Sequence, residues 1–139
     1  MRYGVLTFKR YTKRMCVNIH GEYFMSDIKN LVKRIIAFRN ARDWKQYHNP
    51  KDVALSLVLE AGEVMEHFQW QNDREMNKYV KDHKDEIGDE LADVLYWVLL
   101  MSYDLDIDVL KAAEKKMQIN ESKYPVEKAR GKHTKYDKL

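Results

Sequence analysis

The chain has one cysteine, two prolines, five glycines and no long hydrophobic run in its 139 residues. Each scarcity excludes something. A single thiol, Cys16, forms no intramolecular disulfide and no thiolate zinc cluster, so a reduced, cytoplasmic setting is expected. No apolar stretch approaches the roughly 18–20 residues that a membrane-spanning helix needs. There is no glycine-rich phosphate loop and no Ser-His-Asp order that would support a nucleophilic triad. Strand-like alternation and solenoid repeats are absent as well. The two prolines, Pro50 and Pro125, fall at predicted helix boundaries.

Hydrophobic and charged residues, by contrast, are plentiful, at 45% and 34% of the chain. That balance fits one helix-rich domain with a real core. The net charge of +3 is unevenly spread: residues 1–24 carry +4, residues 25–110 carry −6 and residues 111–139 carry +5. A solvated charge run is the plain reading. An acidic middle beside a basic tail also suits a protein that holds cations and then a polyanion. Residues 1–24 lack a sustained helical period and form an N-terminal extension. Gly21-Glu22 can be encoded by GGAGAA, which resembles a ribosome-binding site, so the functional start is expected at Met25, with Ser26 or Asp27 as a helix N-cap.

Apolar spacing predicts four helices. The first covers about 27–42 with Ile28, Leu31, Val32, Ile35, Ile36 and Phe38 inside. The second covers about 50–68 with Val53, Leu57, Leu59, Val64, Met65 and Phe68. A polar loop or short helix follows over 69–78. The third covers about 81–103 with Ile87, Leu91, Val94, Leu95 and Val98. The fourth, capped by Asp106 or Asp108, ends near Tyr124-Pro125, with Val109, Leu110, Ala113 and Met117 inside. The tail 126–139 is polar, basic and expected to be extended or mobile. An all-α four-helix bundle is implied, with surplus apolar surface that suits a second subunit.

Two helices carry an oddity. LVLEAGEVMEHFQW (57–70) places Ser56, Glu60, Glu63, His67 and Trp70 on one face, and DELADVLYW (89–97) aligns Glu90 and Asp93 with Glu86 and Trp97. If the helices are neighbours, Glu60, Glu63, Glu90 and Asp93 converge. Two carboxylates about 5 Å apart repel by roughly 3 kcal/mol at an effective dielectric of about 20. With no Lys or Arg in the stripes, either protons or hard cations must intervene, and Mg²⁺ suits a few carboxylates with water and phosphate. A di-iron bundle wants Glu-x-x-His pairs, which the spacing of Glu63 and His67 does not supply. Gly62, mid-helix at a cost of about 1 kcal/mol relative to Ala, is expected to permit close approach of a helix or ligand.

E60-x-x-E63 followed by E90-x-x-D93 resembles the MazG-like all-α nucleoside triphosphate pyrophosphohydrolases, and in particular their dCTP pyrophosphatase branch. RDWKQYHNP (42–50) and KKMQINESKYP (115–125) extend the likeness, which makes 25–125 the catalytic helical domain. The resemblance implies cleavage of a (d)NTP, foremost dCTP or a modified dCTP, to (d)NMP and pyrophosphate. It implies Mg²⁺ on Glu60, Glu63, Glu90 and Asp93, with Glu63 the candidate base. It implies phosphate contacts from Arg42, Lys116, Asn120, Lys123 and Tyr124, and a base pocket of Trp44, His48, Trp70 and Tyr96. A homodimer or dimer-of-dimers tetramer follows, with no membrane or nucleic-acid partner. The rivals are the same chemistry on dUTP, dATP or a damaged base, and a non-enzymatic helical module that binds nucleic acid or a partner through its basic ends.

Overall fold

The structure is a computed structural model that describes residues 22–138, with side chains from Asp27 onward. The expectations for residues 1–21 and for a start at Met25 concern a segment outside, or at the edge of, the described residues. Among the described residues the secondary structure is entirely helical. Two compact units divide at His48 and Asn49.

The first unit holds α1 (Glu22–Asn40) and a 3-10 turn (Trp44–Tyr47). The helix already runs through Met25, Ser26 and Asp27, so neither Ser26 nor Asp27 is its cap. Ile35 and Arg39 are buried, whereas Phe38 is exposed and meets the Trp44 ring edge-on at 5.8 Å.

The second unit holds α2 (Pro50–Glu66), α3 (Asp73–Asp82), α4 (Lys84–Asp104), α5 (Val109–Lys123) and the short α6 (Val126–Ala129). Local chemistry sets each start. Asn49 accepts the Asp52 amide at 3.1 Å with Pro50 as first helical residue. Asn72 accepts the amides of Arg74 and Glu75, so the short-helix alternative for the polar segment is the one found. Asp108 accepts the Lys111 amide at 2.9 Å, while Asp106 takes a left-handed φ of 53° in the turn before it.

The main packing is α2 on α4, with α3 resting on α4. The pair is antiparallel, because Glu60 reaches Trp97 while Glu63 reaches Glu90. Its core is Val53, Ile87, Leu99 and Leu100. Leu59, Met65, Leu91 and Leu95, expected inside, are exposed, Leu59 at 67%. They lie on faces that the α2–α4 contact does not cover. α5 packs only sparsely, so Ala113 and Met117 are exposed rather than internal. An added Cβ at Gly62 meets nothing within 4 Å, so within one chain no close approach explains this glycine. The tail is not extended: after α6 it closes with a 3-10 turn (Tyr136–Lys138) whose Tyr136 meets Tyr124 edge-on at 5.9 Å. No described helix is long and apolar enough to cross a membrane.

Leu100 is 0% exposed, so Leu100→Ala is expected to cost about 2–5 kcal/mol in urea unfolding. Gly88, with open space around its Cβ position, gives the opposite expectation: Gly88→Ala adds up to about 1 kcal/mol.

Candidate active site

The α2–α4 pair turns two separate sequence stripes into one cluster. Carboxylate oxygens of Glu60, Glu90 and Asp93 all lie within 4.8 Å of one another. Glu60 and Glu90 are half-buried and Asp93 is exposed, which leaves the cluster open on one side. Glu63, the fourth predicted acid, faces solvent beside Glu90. A hydrogen bond to Glu90 holds its carboxyl above the usual pKa, and the charge of Glu90, partial burial and the charges of Glu66 and Asp93 add to the shift. A hydrogen bond between two carboxyl groups requires a proton on one of them. Either that proton or a cation must relieve the repulsion.

The donor set fits a hard divalent cation. Oxygens on opposite sides of a Mg²⁺ ion stand about 4.2 Å apart, and those around Ca²⁺ somewhat more. A spread of 4.8 Å is within a small side-chain adjustment of that geometry. Glu60 is held by the Trp97 indole N–H, which donates to Oε1 at 3.1 Å and leaves the other oxygen for a cation. The site prediction omitted Trp97, although its place four residues after Asp93 was the available signal. Tyr96 is half-buried and meets the Trp97 ring edge-on at 5.1 Å, so it supports this clamp from behind.

The remaining predicted residues lie on several elements of the two units. Arg42 lays its guanidinium 3.6 Å from the centroid of Phe38 and donates to the Phe38 carbonyl at 3.0 Å, in the same unit as Trp44 and the half-buried His48. Trp70, past the end of α2, is 86% exposed. Lys116, Asn120 and Lys123 lie on α5, with Tyr124 capping it. Lys123 Nζ stands 4.6 Å from the Tyr136 ring centroid, so the tail touches the proposed phosphate-binding end, a contact without a periodic signal in the sequence.

Two measurements follow. Trp97→Phe removes the donor on Glu60 while keeping an aromatic ring, so Mg²⁺ affinity in calorimetric titration should fall about 10–100-fold. The raised Glu63 pKa means that the folded protein holds a proton after the unfolded chain has lost it. Its contribution to stability therefore declines as pH rises from the ordinary glutamate range through the raised value, and is unaffected below that range. A cation replaces the proton, so Mg²⁺ should raise Tm more at about pH 7.5 than at about pH 5, with about 2.7 kcal/mol of stabilisation at a hundredfold excess over Kd.

Comparison with known proteins supplies the kinship. Residues 55–139 match the MazG-like family. The chain is 36% identical over 111 residues to rat dCTP pyrophosphatase 1, covering 78% of this chain and 65% of that protein. It is 34% identical over 121 residues to the bovine dCTP pyrophosphatase 1, covering 86% and 70%. This chain therefore spans about two-thirds of the length of these relatives. A crystal structure of a pyrophosphatase from Archaeoglobus fulgidus superposes with a TM-score of 0.68 at 35% identity, covering 71% of this chain and 93% of that one. The chain belongs to the MazG-like family.

Proposed function

We propose that this protein is a Mg²⁺-dependent nucleoside triphosphate pyrophosphohydrolase that converts a (d)NTP and water to (d)NMP and pyrophosphate. The observation that carries the reading is the convergence of Glu60, Glu90 and Asp93 from two helices, with Glu63 beside Glu90. A cation on these residues supplies neutralising charge to the triphosphate and acidifies a water for in-line attack on the α-phosphorus. The chain's own groups do the rest. Trp97 fixes Glu60, and Glu63 is our candidate to accept the proton of the attacking water. Lys116 and Lys123, with Asn120 and Tyr124, meet the charge of the outgoing pyrophosphate, and Arg42 is the candidate from the first unit. Trp44 and His48 in the first unit, and Trp70 and Tyr96 in the second, are the candidate base contacts.

Likeness to proteins named dCTP pyrophosphatase 1 supports dCTP or a modified dCTP as the substrate. The acidic cluster speaks against nucleic acid, whose phosphates it would repel. A cytoplasmic setting, where Cys16 stays reduced, suits a role in clearing nucleotide pools. The exposed stripe of Leu55, Val58, Leu59 and Met65 on α2, with Leu91 and Leu95 on α4, supports a homodimer or dimer-of-dimers tetramer in which a second copy completes the four-helix bundle.

The test is pyrophosphate release from a panel of dNTPs and NTPs, with and without Mg²⁺, on wild type and Glu63→Gln. Mg²⁺-dependent conversion of dCTP to dCMP, reduced at least about a hundredfold in the variant, is the expected result. Preference for dUTP, dATP or another nucleotide would retain the carboxylate centre and overturn the base assignment. No turnover of any nucleotide by well-folded protein would sink the enzyme reading. For assembly, Leu59→Asp should shift the sedimentation coefficient to that of a single chain.

A further inference from the structure

The corner where α2, α3 and α4 meet contains a linked set of side chains that the proposed chemistry has not used. His67 is the C-cap residue just past α2, still with right-handed helical φ and ψ, and four residues beyond Glu63. Side chains four apart on a helix are neighbours, with Cβ atoms about 5–6 Å apart. His67 Nδ1 lies 3.0 Å from the Tyr79 hydroxyl of α3. The Tyr79 ring stacks on the His83 ring at 4.0 Å, with 15° between the planes. His83 Nδ1 lies 3.0 Å from the Tyr79 carbonyl oxygen, which only accepts, so that nitrogen carries a proton. Tyr79 is thus gripped by its ring and its backbone, and its hydroxyl is aimed at one imidazole nitrogen.

The direction of that hydrogen bond decides what His67 can do. A phenol is a stronger donor than a neutral imidazole N–H, and an imidazole lone pair is a stronger acceptor than a phenol oxygen. The Tyr79 O–H therefore donates to His67 Nδ1, and the remaining proton of neutral His67 sits on Nε2. In this tautomer His67 has no lone pair left for a metal. In this form it offers one N–H donor one turn from an acidic cluster that contains no lysine or arginine in its stripe.

We infer that His67 is a phosphate-binding residue of the site, donating from Nε2 to an oxygen of the polyphosphate, and that Tyr79, braced by His83, is the positioning residue that fixes its tautomer. The inference rests on the pyrophosphohydrolase reading and extends it to residues that reading does not name. A neutral donor suits this place. It meets a phosphate oxygen without competing with the cation for Glu63 and Glu90.

The experiment joins nitrogen-15 NMR of the histidine rings with kinetics on whichever triphosphate the wild type hydrolyses fastest. His67 should show the Nε2–H tautomer in wild type, with its Nε2 resonance moving on addition of Mg²⁺ and inorganic pyrophosphate. Tyr79→Phe keeps the stack on His83 but should release His67 into mixed tautomers. His67→Ala should raise KM about tenfold, the value of one hydrogen bond to a charged group, with kcat and the Mg²⁺ affinity measured without nucleotide nearly unchanged. Tyr79→Phe should raise KM in the same direction by less. An Nδ1–H tautomer in wild type overturns the inference without any activity measurement. A KM within about twofold of wild type for His67→Ala in an active, folded enzyme overturns it while leaving the pyrophosphohydrolase reading intact. A wild type that hydrolyses no triphosphate overturns both.

Discussion

Like charges facing one another across two packed helices set the terms for this molecule. Antiparallel packing of α2 on α4 buries Val53, Ile87, Leu99 and Leu100, and the same register brings Glu60, Glu90 and Asp93 together. The hydrophobic contact cannot form without the acidic one, because both stripes belong to the same helices. The repulsion is offset locally by the Trp97 N–H on Glu60, and the neighbouring Glu90 raises the pKa of Glu63. What these groups leave uncompensated is the binding energy available to a cation.

The same helices explain why the single chain shows so much apolar surface. A helix has room for three stripes, and α2 uses all three. One packs on α4, one carries Ser56, Glu60, Glu63 and His67, and the third carries Leu55, Val58, Leu59 and Met65 to solvent. Gly62 lies on that third stripe with empty space beside it. Sparse packing of α5 leaves Met117 and Ile119 exposed as well. A monomer would carry these as liabilities, whereas a second subunit would convert them to core.

Much of this was legible in the sequence because helical periodicity is a local property. The starts at Asn49-Pro50 and Asp108 follow from side chains that cap the amides two or three residues on, and they were found where composition placed them. The acidic stripes were legible for the same reason. The misreadings share a physical cause. Leu59, Met65, Leu91 and Leu95 were placed inside because apolar periodicity cannot tell a face that meets another helix of the same chain from a face that meets nothing. The polar stretch after α2 was open between a loop and a short helix, because its apolar face is short, and the Asn72 cap decides for the helix. The fold of the tail onto Tyr124 depends on one aromatic contact, and a single contact has no period to read.

By itself the sequence determined the helices, their stripes and the chemical type of the site, since each follows from side-chain identity at spacings of three and four. Tertiary structure alone decided which stripes met. It chose the antiparallel register that pairs Glu60 with Trp97 and Glu63 with Glu90, and it set Tyr79 against His67 across twelve residues. Those choices depend on distances between separate helices, which no local pattern encodes. They turn three acids that could each have faced water into one cluster, Glu60, Glu90 and Asp93, with Glu63 exposed beside it.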